Sequence, residues 1–526
     1  MNSRTDAVAD TQRRRLMLAS LATMGLAGCG GGGAAPAATS PAATTLATNS
    51  GTATAAGMSP PPPASGVSVP LASTWPALPL LQNTSAGVGS FTAVLTAAPA
   101  TASFVPGIAT QILAYNGGTP GPVIEAYEGD AARIAFVNQL GQDTTVHWHG
   151  LPIPADQDGN PMDPVTTGTT RNYSFNLPAG SAGTYWYHPH PHGTTHEQVY
   201  KGLAGVFIVR SRTDPLAALP ERIVLITDLR LDASGQIAPD TAVDLANGRE
   251  GDQVLVNGAH QPADSIAPGA TERWRVFDAT NGRYLRLVLD GAPMVLVAVD
   301  GCALAAPKTV SELLLAPGQR AELVVRAPAT SGQKLVLRTL AYNRGPMVPT
   351  SPPVKLFEIT TGPGATLAPL PLPASLPSPA PLPAKLPLTQ TLVLSDMGMG
   401  SGGGMGGGGM GAGSTGRFTI NGKVFDPARD DITMKAGVAE EWLVRNAGMM
   451  DHPLHIHGTA FQLVASTRAG SAADPRLNAF MDVVNLVPGE QIRLRLRIDS
   501  PGRRMFHCHI LEHEAQGMMG VINVTA

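Results

Sequence analysis

One sequence pattern occurs three times between residue 85 and the C-terminus of this 526-residue chain. Each copy opens with Asn-Gly, continues with Gly-x4-apolar-x3-Asn/Asp, and later reaches a Pro-Gly or Pro-Ala-Gly turn. The Asn-Gly pairs begin at Asn116, Asn257 and Asn421, the middle elements are GDAARIAFVN from Gly129, GATERWRVFD from Gly269 and GVAEEWLVRN from Gly437, and the late turns begin at Pro178, Pro317 and Pro488. Three registered copies at domain-sized spacing predict three homologous domains.

Within each copy, apolar residues alternate with polar ones, as in QIRLRLRI from Gln491 and RYLRLVLD from Arg283. Alternation with a period of two predicts half-buried strands, and the 59 Gly and 47 Pro supply the turns. No long amphipathic helix pattern interrupts the strands. The sequence therefore predicts an all-β chain of three consecutive antiparallel Greek-key β-sandwiches, at residues 85–212, 213–362 and 388–526.

The N-terminal region predicts export rather than a folded element. A basic segment at Arg13, Arg14 and Arg15 precedes a short apolar run that ends in Leu-Ala-Gly-Cys at Cys29. This ending resembles the lipobox of bacterial lipoproteins, so residues 1–29 are expected to be a signal peptide, with a lipid on Cys29 attaching the mature protein to a membrane. The expected location is the periplasm or cell envelope. Residues 30–84 are poor in large apolar side chains and are expected to form a disordered tether, and residues 363–387 a stiff Pro-rich linker.

Charge argues against one broad class of partner. Charged residues make up 14% of the chain and the net charge is -3, so no basic field would attract nucleic acid.

Eleven of the 13 histidines lie in four short motifs, and ten of them are candidate ligands, namely His147 and His149 in HWHG, His188 and His190 in HPHPHG, His452, His455 and His457 in HPLHIHG, and His507, His509 and His513 in HCHILEH. On a strand, residues two apart point to the same face, so each His-x-His presents two imidazoles towards one point. Two pairs come from domain 1 and two from domain 3, which predicts a metal cluster between these domains. Imidazole suits copper, zinc, iron and nickel alike.

The residues outside these pairs narrow the choice of metal. His452, Cys508 and His513 remain, followed by a methionine, and two His with one Cys thiolate and a weak axial Met are typical of a blue copper site. If His507 and His509 point to one side of their strand, Cys508 points to the other, so one tripeptide would join both centres. Domain 2 has the ligand-free NGRYLRLVLD in place of a His pair and is expected to act as a spacer that could also shape a substrate site, and Cys302 is expected to be a small core residue.

From about residue 85 onward, these motifs and their order resemble those of three-domain multicopper oxidases. The resemblance implies cupredoxin-like domains and four copper ions, one type 1, one type 2 and two type 3. It assigns His452, Cys508, His513 and axial Met518 to the type 1 copper, and His147 and His455 to the type 2 copper. The type 3 pair would use His149, His188, His190, His457, His507 and His509.

The resemblance also implies the reaction, in which a donor gives single electrons to the blue copper and four electrons reduce dioxygen to two waters. Asp158 and Glu514 match acidic positions that the family uses for proton delivery, and general acid work by a carboxyl is consistent with this role. Asp156 is a weaker alternative to Asp158, and each of the two acids could instead occupy a turn or the surface. His192 and His196 are not expected to be ligands, and His260 is expected in a loop.

A methionine-rich segment bears on the electron donor. Met397, Met399, Met405 and Met410 lie in a Gly-rich loop at 396–413, and Met449 and Met450 are almost adjacent to His452. Thioethers prefer Cu(I), and the arrangement resembles bacterial cuprous oxidases of copper efflux, although this insert is shorter, richer in glycine and without histidine. Met397, Met399, Met449 and Met450 are thus candidate ligands of a substrate copper, with Asp396 and Asp451 as oxygen donors.

Two other functions are consistent with the same motifs. A laccase-like oxidase of phenolic or other organic donors would use the same coppers. A non-catalytic copper-sequestering lipoprotein would not need the complete ligand set, so that set argues against it.

Overall fold

A computed structural model describes residues 67–346, 348–396, 418–468, 470, 474 and 476–526 of the chain. Among these residues, β-strands dominate and the helices are short: α1 (Thr195–Tyr200), α2 (Ala242–Asn247), α3 (Leu511–Ala515) and a 3-10 turn (Ala155–Gln157). No helix in this part of the chain has the length and apolar character needed to cross a membrane.

Domain 1, as described between residues 90 and 210, has the strands β1 (Ser90–Ala102), β2 (Thr110–Tyr115), β3 (Ile124–Tyr127), β4 (Ala131–Asn138), β5 (His147–His149), β6 (Thr170–Asn176), β7 (Gly183–His188) and β8 (Gly205–Arg210). They form two packed sheets with strand orders β2-β1-β4-β6 and β3-β8-β7-β5.

Domain 2 repeats this plan with longer sheets, and its strands are β9 (Glu221–Leu229), β10 (Gln253–Val256), β11 (Ala259–His260), β12 (Ala263–Ile266), β13 (Thr271–Asp278), β14 (Leu285–Asp290), β15 (Met294–Val299), β16 (Cys302–Val310), β17 (Leu313–Leu315), β18 (Arg320–Arg326), β19 (Lys334–Leu340) and β20 (Val354–Thr361). Their orders in the described residues are β11-β10-β9-β13-β18-β15-β16 and β12-β20-β19-β14-β17.

Domain 3 contains β21 (Leu388–Ser395), β22 (Thr419–Ile420), β23 (Ile432–Lys435), β24 (Glu440–Asn446), β25 (His452–Ile456), β26 (Phe461–Ser466), β27 (Phe480–Met481), β28 (Val483–Leu486), β29 (Gln491–Leu496), β30 (Gly502–Cys508) and β31 (Met519–Thr525). Within the described residues, the sheet orders are β22-β21-β24-β29-β26-β27 and β23-β31-β30-β25-β28. The strands β5, β14 and β25 occupy equivalent places in the three domains, and so do β7, β19 and β30.

The expectation of antiparallel pairing is only partly correct. In every domain the first strand pairs in parallel with a later one, namely β1 with β4, β9 with β13 and β21 with β24. The chain makes a hairpin, crosses to the opposite sheet, and returns on the other side of its first strand in the same direction. Greek-key crossing between sheets therefore produces parallel neighbours that alternation of side chains does not reveal.

The repeated Asn-Gly pairs form the same turn in all three domains. Asn116, Asn257 and Asn421 have φ values of 49°, 51° and 53°, and each is followed by a glycine that also has positive φ. Two successive residues with positive φ define the hairpin turn that favours Asn-Gly. Each Asn side chain also accepts a hydrogen bond from the first strand of its domain, from Thr96 N–H (2.7 Å), Leu225 N–H (2.9 Å) and Val393 N–H (2.7 Å).

The registered apolar positions of the repeat lie in the cores. Ile134, Trp274 and Trp442 are buried on β4, β13 and β24. Each lies on a strand of the same sheet as the Asn-Gly turn, so the repeat specifies both the turn and a core residue of its sheet.

Residues 67–84 correct the predicted tether, which was expected to continue to residue 84. Leu71 pairs with His260, Leu80 pairs with Val123, and the Trp75 ring meets Phe357 edge-on at 5.0 Å. A few apolar side chains in a polar segment are sufficient to hold it against the domains. His260 is therefore a strand residue of β11 rather than a loop residue, and its Nδ1 lies 2.6 Å from Val69 O.

The predicted Pro-rich linker, residues 363–387, contains no helix or strand, and most of its side chains are exposed, although Leu376 is buried.

Cys302 was expected to be a core residue, but it lies at the start of β16 and is only half-buried. It lines a cavity of about 730 Å³ formed by residues of all three domains.

Candidate metal centres

The four histidine motifs lie at equivalent places in domains 1 and 3. HWH forms β5 and pairs with β7, so that His147 is opposite His188. HPLHI forms β25 and pairs with β30, so that His455 is opposite His507. The equivalent strands of domain 2, β14 and β19, carry LRLVLD and KLVLRTL, neither of which contains a His or a Cys.

Eight buried histidines meet between domains 1 and 3. Their ring nitrogens form three groups in which the donor atoms all lie within 4.8 Å of one another, namely His147, His149 and His455, then His149, His188 and His509, then His190, His457 and His507. Each group combines residues from both domains. The last two groups divide the six predicted type 3 ligands into two sets of three, and the first contains both predicted type 2 ligands.

The hydrogen bonds of these rings leave lone pairs that face one another. His147 Nδ1 lies 2.9 Å from Asp158 O and His455 Nδ1 2.7 Å from Asp482 O, so both Nδ1 atoms are assigned as donors. Their Nε2 atoms are then acceptors, yet they lie 3.4 Å apart. Two buried lone pairs at this separation repel unless a cation lies between them. The donor set therefore fits a bound metal.

The same reasoning applies to another pair of rings. His457 Nδ1 lies 2.9 Å from Asp158 Oδ2 and His507 Nδ1 2.9 Å from Cys508 O, while their Nε2 atoms are 3.2 Å apart. His188 also directs Nδ1 to a carbonyl, that of Pro189, and its buried Nε2 has no hydrogen-bond partner.

His149 is oriented differently from these rings. Its Nε2 lies 3.1 Å from Asp482 Oδ1, and its buried Nδ1 has no hydrogen-bond partner. His149 would therefore offer Nδ1 to a metal, whereas His147, His188, His455, His457 and His507 would offer Nε2. A sequence motif cannot indicate this difference.

Electrostatics keep the cluster rings neutral. Burial, reinforced by neighbouring cluster residues, lowers the pKa of seven of them, with that of His507 falling to about 3; the others are His149, His188, His190, His455, His457 and His509. Neutral imidazole is the form that binds a metal.

The remaining ligand candidates form a separate buried group in domain 3. Cys508 Sγ lies 3.6 Å from His452 Nδ1 and 3.7 Å from His513 Nδ1. Metal bonds of about 2.1 Å to nitrogen and 2.3 Å to sulfur, separated by about 110–120°, place the two ligand atoms about 3.6–3.8 Å apart. The donor set of two His and one Cys, and its spacing, therefore fit a blue copper site.

The surroundings of Cys508 hold this group in place. Cys508 N–H donates to Met518 O at 3.0 Å, and Met518 N–H donates to His513 O at 3.0 Å. The Phe418 ring stacks on His513 at 3.9 Å. Burial raises the pKa of the Cys508 thiol, so a bound cation is needed to stabilise the thiolate. Met518 is fully buried, and its role as axial ligand stays a prediction.

Asp158, which matches an acidic position of the family, is buried against the cluster. Its Oδ2 lies 2.9 Å from His457 Nδ1 and its Oδ1 3.4 Å from His147 Nδ1. The Gly159 backbone, at φ 77°, lies so close to Val146 O that any side chain there would overlap it. The Asp-Gly turn and the contact with the cluster are thus the same feature. Asp156 is exposed and bonds to Gln157, so it is no alternative to Asp158.

Glu514, on α3, is buried next to two other cluster histidines. Its Oε1 lies 3.6 Å from His190 Nδ1 and its Oε2 3.4 Å from His507 Nδ1. Burial raises the pKa of Glu514 to about 8. The carboxyl therefore carries a proton at neutral pH, next to two cluster rings.

The other histidines near the motifs lie outside the three groups. His192 is exposed and meets Phe425 at 4.9 Å, and His196 Nε2 lies 3.4 Å from Asp240 Oδ2.

The sequence did not point to three residues at the cluster, of which Asp482 and Trp186 contact its histidines and Arg320 contacts Asp482. Asp482 lies between β27 and β28 and contacts His149, while Arg320 of domain 2 pairs with Asp482. The Trp186 ring stacks on His188 at 4.3 Å and lies 5.1 Å from His149. A lone acid in the apolar run FMDVVNL is a signal that could have singled out Asp482.

Three candidate ligands of a substrate copper, Asp396, Met449 and Met450, lie beside the blue-site group. Asp396 Oδ2 lies 3.7 Å from His452 Nε2 and accepts hydrogen bonds from Met449 N–H and Met450 N–H at 2.9 and 3.1 Å. Met449 is 40% exposed, whereas Met450 is 1% exposed. Met397, Met399, Met405 and Met410 lie outside the described residues.

The sequence led us to expect Asp451 as an oxygen ligand of a substrate copper, but its carboxylate is turned into the protein. Its Oδ2 accepts hydrogen bonds from Tyr342 Oη at 2.6 Å and Asn485 Nδ2 at 2.7 Å, and the side chain is buried. Polar partners from domain 2 and from β28 draw the carboxylate inward, away from Met449.

Comparisons with known proteins agree with this geometry. Models of the multicopper oxidase family match residues 96–214, 226–346 and 405–526. A multicopper oxidase of Staphylococcus epidermidis is 31% identical over 79% of this chain and 84% of its own length. The cell division protein FtsP of Escherichia coli is 30% identical over 69% of this chain and 74% of its own length.

A solved structure is also similar. The multicopper oxidase of Campylobacter jejuni, described as a metallo-oxidase, is 38% identical, covers 87% of this chain and 96% of its own, and superposes with a TM-score of 0.78. The fold, the paired histidines and these matches agree. The chain belongs to the multicopper oxidase family, whose members are copper-dependent oxidoreductases with dioxygen as electron acceptor.

Proposed function

We propose that this protein oxidises Cu(I) in copper tolerance and couples the reaction to the four-electron reduction of dioxygen to water. The observation that carries the proposal is the pair of soft and hard donors at the outer edge of His452, namely exposed Met449 and the carboxylate of Asp396. Thioether sulfur is a ligand preferred by Cu(I). The solved relative described as a metallo-oxidase supports the same donor.

Electron entry is supported by the short route from this surface to the blue-site group. Asp396 is 6% exposed and lies between Met449 and His452, with Oδ2 3.7 Å from His452 Nε2. A Cu(I) substrate held by Met449 and Asp396 would therefore deliver its electron through one imidazole. Met450 is buried and is not included in this substrate site.

The route onward uses covalent bonds. Cys508 lies in the blue-site group, and its chain neighbours His507 and His509 lie in two different cluster groups. An electron that reaches the Cys508 sulfur therefore reaches both predicted type 3 sets through the backbone of one tripeptide.

Protons for water formation would come from two carboxyl groups that lie beside different cluster histidines. Glu514 lies near His190 and His507, and Asp158 contacts His147 and His457. Both side chains are buried, so they would hold protons near the reacting oxygen without admitting bulk water.

The full ligand set supports four copper ions. His452, Cys508 and His513, with Met518, would hold type 1 copper, and the eight cluster histidines would hold the type 2 and type 3 ions. When bound, copper supplies one-electron redox chemistry and a place for dioxygen.

The test compares two donors on copper-loaded protein by measuring oxygen uptake with chelated Cu(I) and with a phenol. Met449→Leu is expected to raise KM for Cu(I) while leaving kcat with the phenol unchanged, because it removes a substrate contact and no group that touches a copper ligand. Met162→Leu is the matched control, since this half-buried methionine packs against a group of apolar residues around Phe425 that does not include Met449.

The outcomes separate the alternatives. Turnover of the phenol with no turnover of Cu(I) would favour a laccase-like oxidase. Copper binding without oxygen uptake from either donor would favour a copper-sequestering protein.

We also propose that the protein is exported and anchored to the cell envelope by a lipid on Cys29. The supporting observation is Leu-Ala-Gly-Cys after a basic and apolar leader. Mass spectrometry of the mature N-terminus would detect the lipid, and a Cys29→Ala protein that remains membrane-bound would contradict the proposal.

A further inference from the structure

An arginine of domain 2 lies beside the histidine cluster. Arg320, the first residue of β18, is buried, and its Nη1 and Nη2 lie 2.5 and 2.6 Å from the two carboxylate oxygens of Asp482 in domain 3. Its Nε donates to Thr184 O of domain 1 at 3.1 Å. One side chain thus joins all three domains next to the cluster.

Asp482 passes this contact on to two cluster histidines. Its Oδ1 lies 3.1 Å from His149 Nε2, and its backbone oxygen lies 2.7 Å from His455 Nδ1. His149 is a predicted type 3 ligand from domain 1, and His455 is a predicted type 2 ligand from domain 3. The carboxylate therefore sets the orientation of His149, including the choice of Nδ1 as its metal-facing atom.

The local backbone is shaped to admit this pair. Gly150 follows HWH with φ 86°, and a Cβ there would overlap Asp482 Oδ2 and lie 2.6 Å from Arg320 Nη2. Asp300 holds the arginine from behind, since its Oδ1 accepts the Arg320 N–H at 2.8 Å and its Oδ2 accepts the Val483 N–H at 3.1 Å. Bidentate pairing in a buried site leaves Asp482 one orientation.

Asp158 differs from Asp482 in how it is held. Asp158 also contacts one histidine from each domain, but its nearest arginine nitrogen, Arg504 Nη1, is 4.0 Å away. Asp158 therefore lacks the two short bonds that fix Asp482, which agrees with a proton-delivering role for the first and a fixed role for the second.

We propose that the Arg320–Asp482 pair is a positioning device by which domain 2 orients His149 and His455 for copper. This inference rests on the proposed function, because it concerns the same cluster. Groups behind metal ligands fix ring orientation, and their loss typically costs about 10- to 100-fold in metal affinity or activity. Domain 2 is then more than the spacer that its sequence predicts.

The test measures copper affinity by competition with a chelator and records the electron paramagnetic resonance of the cluster copper separately from the blue copper. Asp482→Asn keeps the shape, but it replaces Oδ2 by an NH2 group that cannot accept a hydrogen bond from Arg320 Nη2, and it removes the charge of the carboxylate whose Oδ1 contacts both Arg320 Nη1 and His149 Nε2. Arg320→Met removes the partner, and Arg320→Lys restores one charge without the fork. We expect cluster copper to bind about 10- to 100-fold more weakly in the first two, with partial rescue by lysine and unchanged blue absorption.

Glu322→Gln is the matched control. Glu322 lies two residues along the same strand, is buried, and bonds to the Thr184 side chain of domain 1, but it contacts no cluster histidine. Loss of cluster copper in this control as large as in Asp482→Asn would overturn the inference, because domain contact alone would then explain the loss. Equal copper affinity and resonance in wild-type and Asp482→Asn proteins would also overturn it, while absence of cluster copper from the wild-type protein would overturn the proposed function as well.

Discussion

Replacing Gly318 by alanine should lower the oxidase activity of the cluster although no predicted copper ligand is substituted. Gly318 belongs to the Pro-Gly turn between β17 and β18 of domain 2, at φ 86°. A Cβ at this position would lie 2.7–2.8 Å from three atoms of the His509 ring. Since unbonded carbon atoms prefer separations of about 3.5–4.0 Å, the ring or the turn must move by about 0.7–1.3 Å.

The size of the effect follows from this displacement. Left-handed backbone costs a residue with a Cβ about 1–2 kcal/mol, which lowers the free energy of unfolding. A misplacement of about 1 Å in a catalytic constellation can cost about 100-fold in rate. We therefore expect a modest loss of stability together with an oxygen-consumption rate about 100-fold below that of the wild-type protein.

Gly489→Ala provides the matched control for this prediction. It lies in the equivalent Pro-Gly turn of domain 3 at φ 78°, where no heavy atom lies within 4 Å of the added Cβ. Both variants carry the backbone cost, but only Gly318→Ala meets a cluster ring. Oxygen uptake, copper content and chemical unfolding should be measured on both. Equal activity in the two variants would refute the reasoning that the domain 2 turn sets the position of His509.

Three further predictions concern the ligands, the pH dependence and the repeat. Cys508→Ser should abolish the blue absorption while the cluster histidines still bind copper, and retention of the blue colour would contradict the assignment. In metal-free protein, burial lowers the pKa of cluster histidines such as His188 and His509, so below pH about 6.5 the unfolded chain binds more protons than the folded one. The free energy of unfolding should therefore fall by up to about 1.4 kcal/mol per pH unit for each such histidine as the pH is lowered. Thermal unfolding that is independent of pH between 7 and 5 would contradict this. Asn421→Ala loses side-chain hydrogen bonds to Val393 N–H and Thr391 O and strains φ 53°, so denaturant unfolding should show a loss of about 2–4 kcal/mol, and a loss below about 1 kcal/mol would be too small for this account.

Much of the fold could be predicted because its signals are local. Asn116, Asn257 and Asn421 announce the hairpin turn through residue type alone, and alternation on β30 places Cys508 and His507 on opposite faces. The four His motifs brought together the same rings that the structure groups. The parallel pairs, such as β1 with β4, were missed because side-chain alternation is the same for either strand direction.

The parts of the site that could not be predicted depend on contacts between distant segments. Arg320 and Asp482 are separated by 162 positions in the chain and belong to different domains. Trp186 reads in sequence as an ordinary strand aromatic, and its stacking on His188 appears only in three dimensions. Asp451 adjoins His452 in sequence, yet its partners Tyr342 and Asn485 turn it inward.

The most direct test of the central claim is the ratio of Cu(I) oxidised to dioxygen consumed by the copper-loaded protein. Four-electron reduction predicts four Cu(I) for each dioxygen, with no peroxide released, and loss of this activity in the Cys508→Ser protein. A ratio of two with accumulation of peroxide, or oxygen uptake that survives Cys508→Ser, would contradict the account.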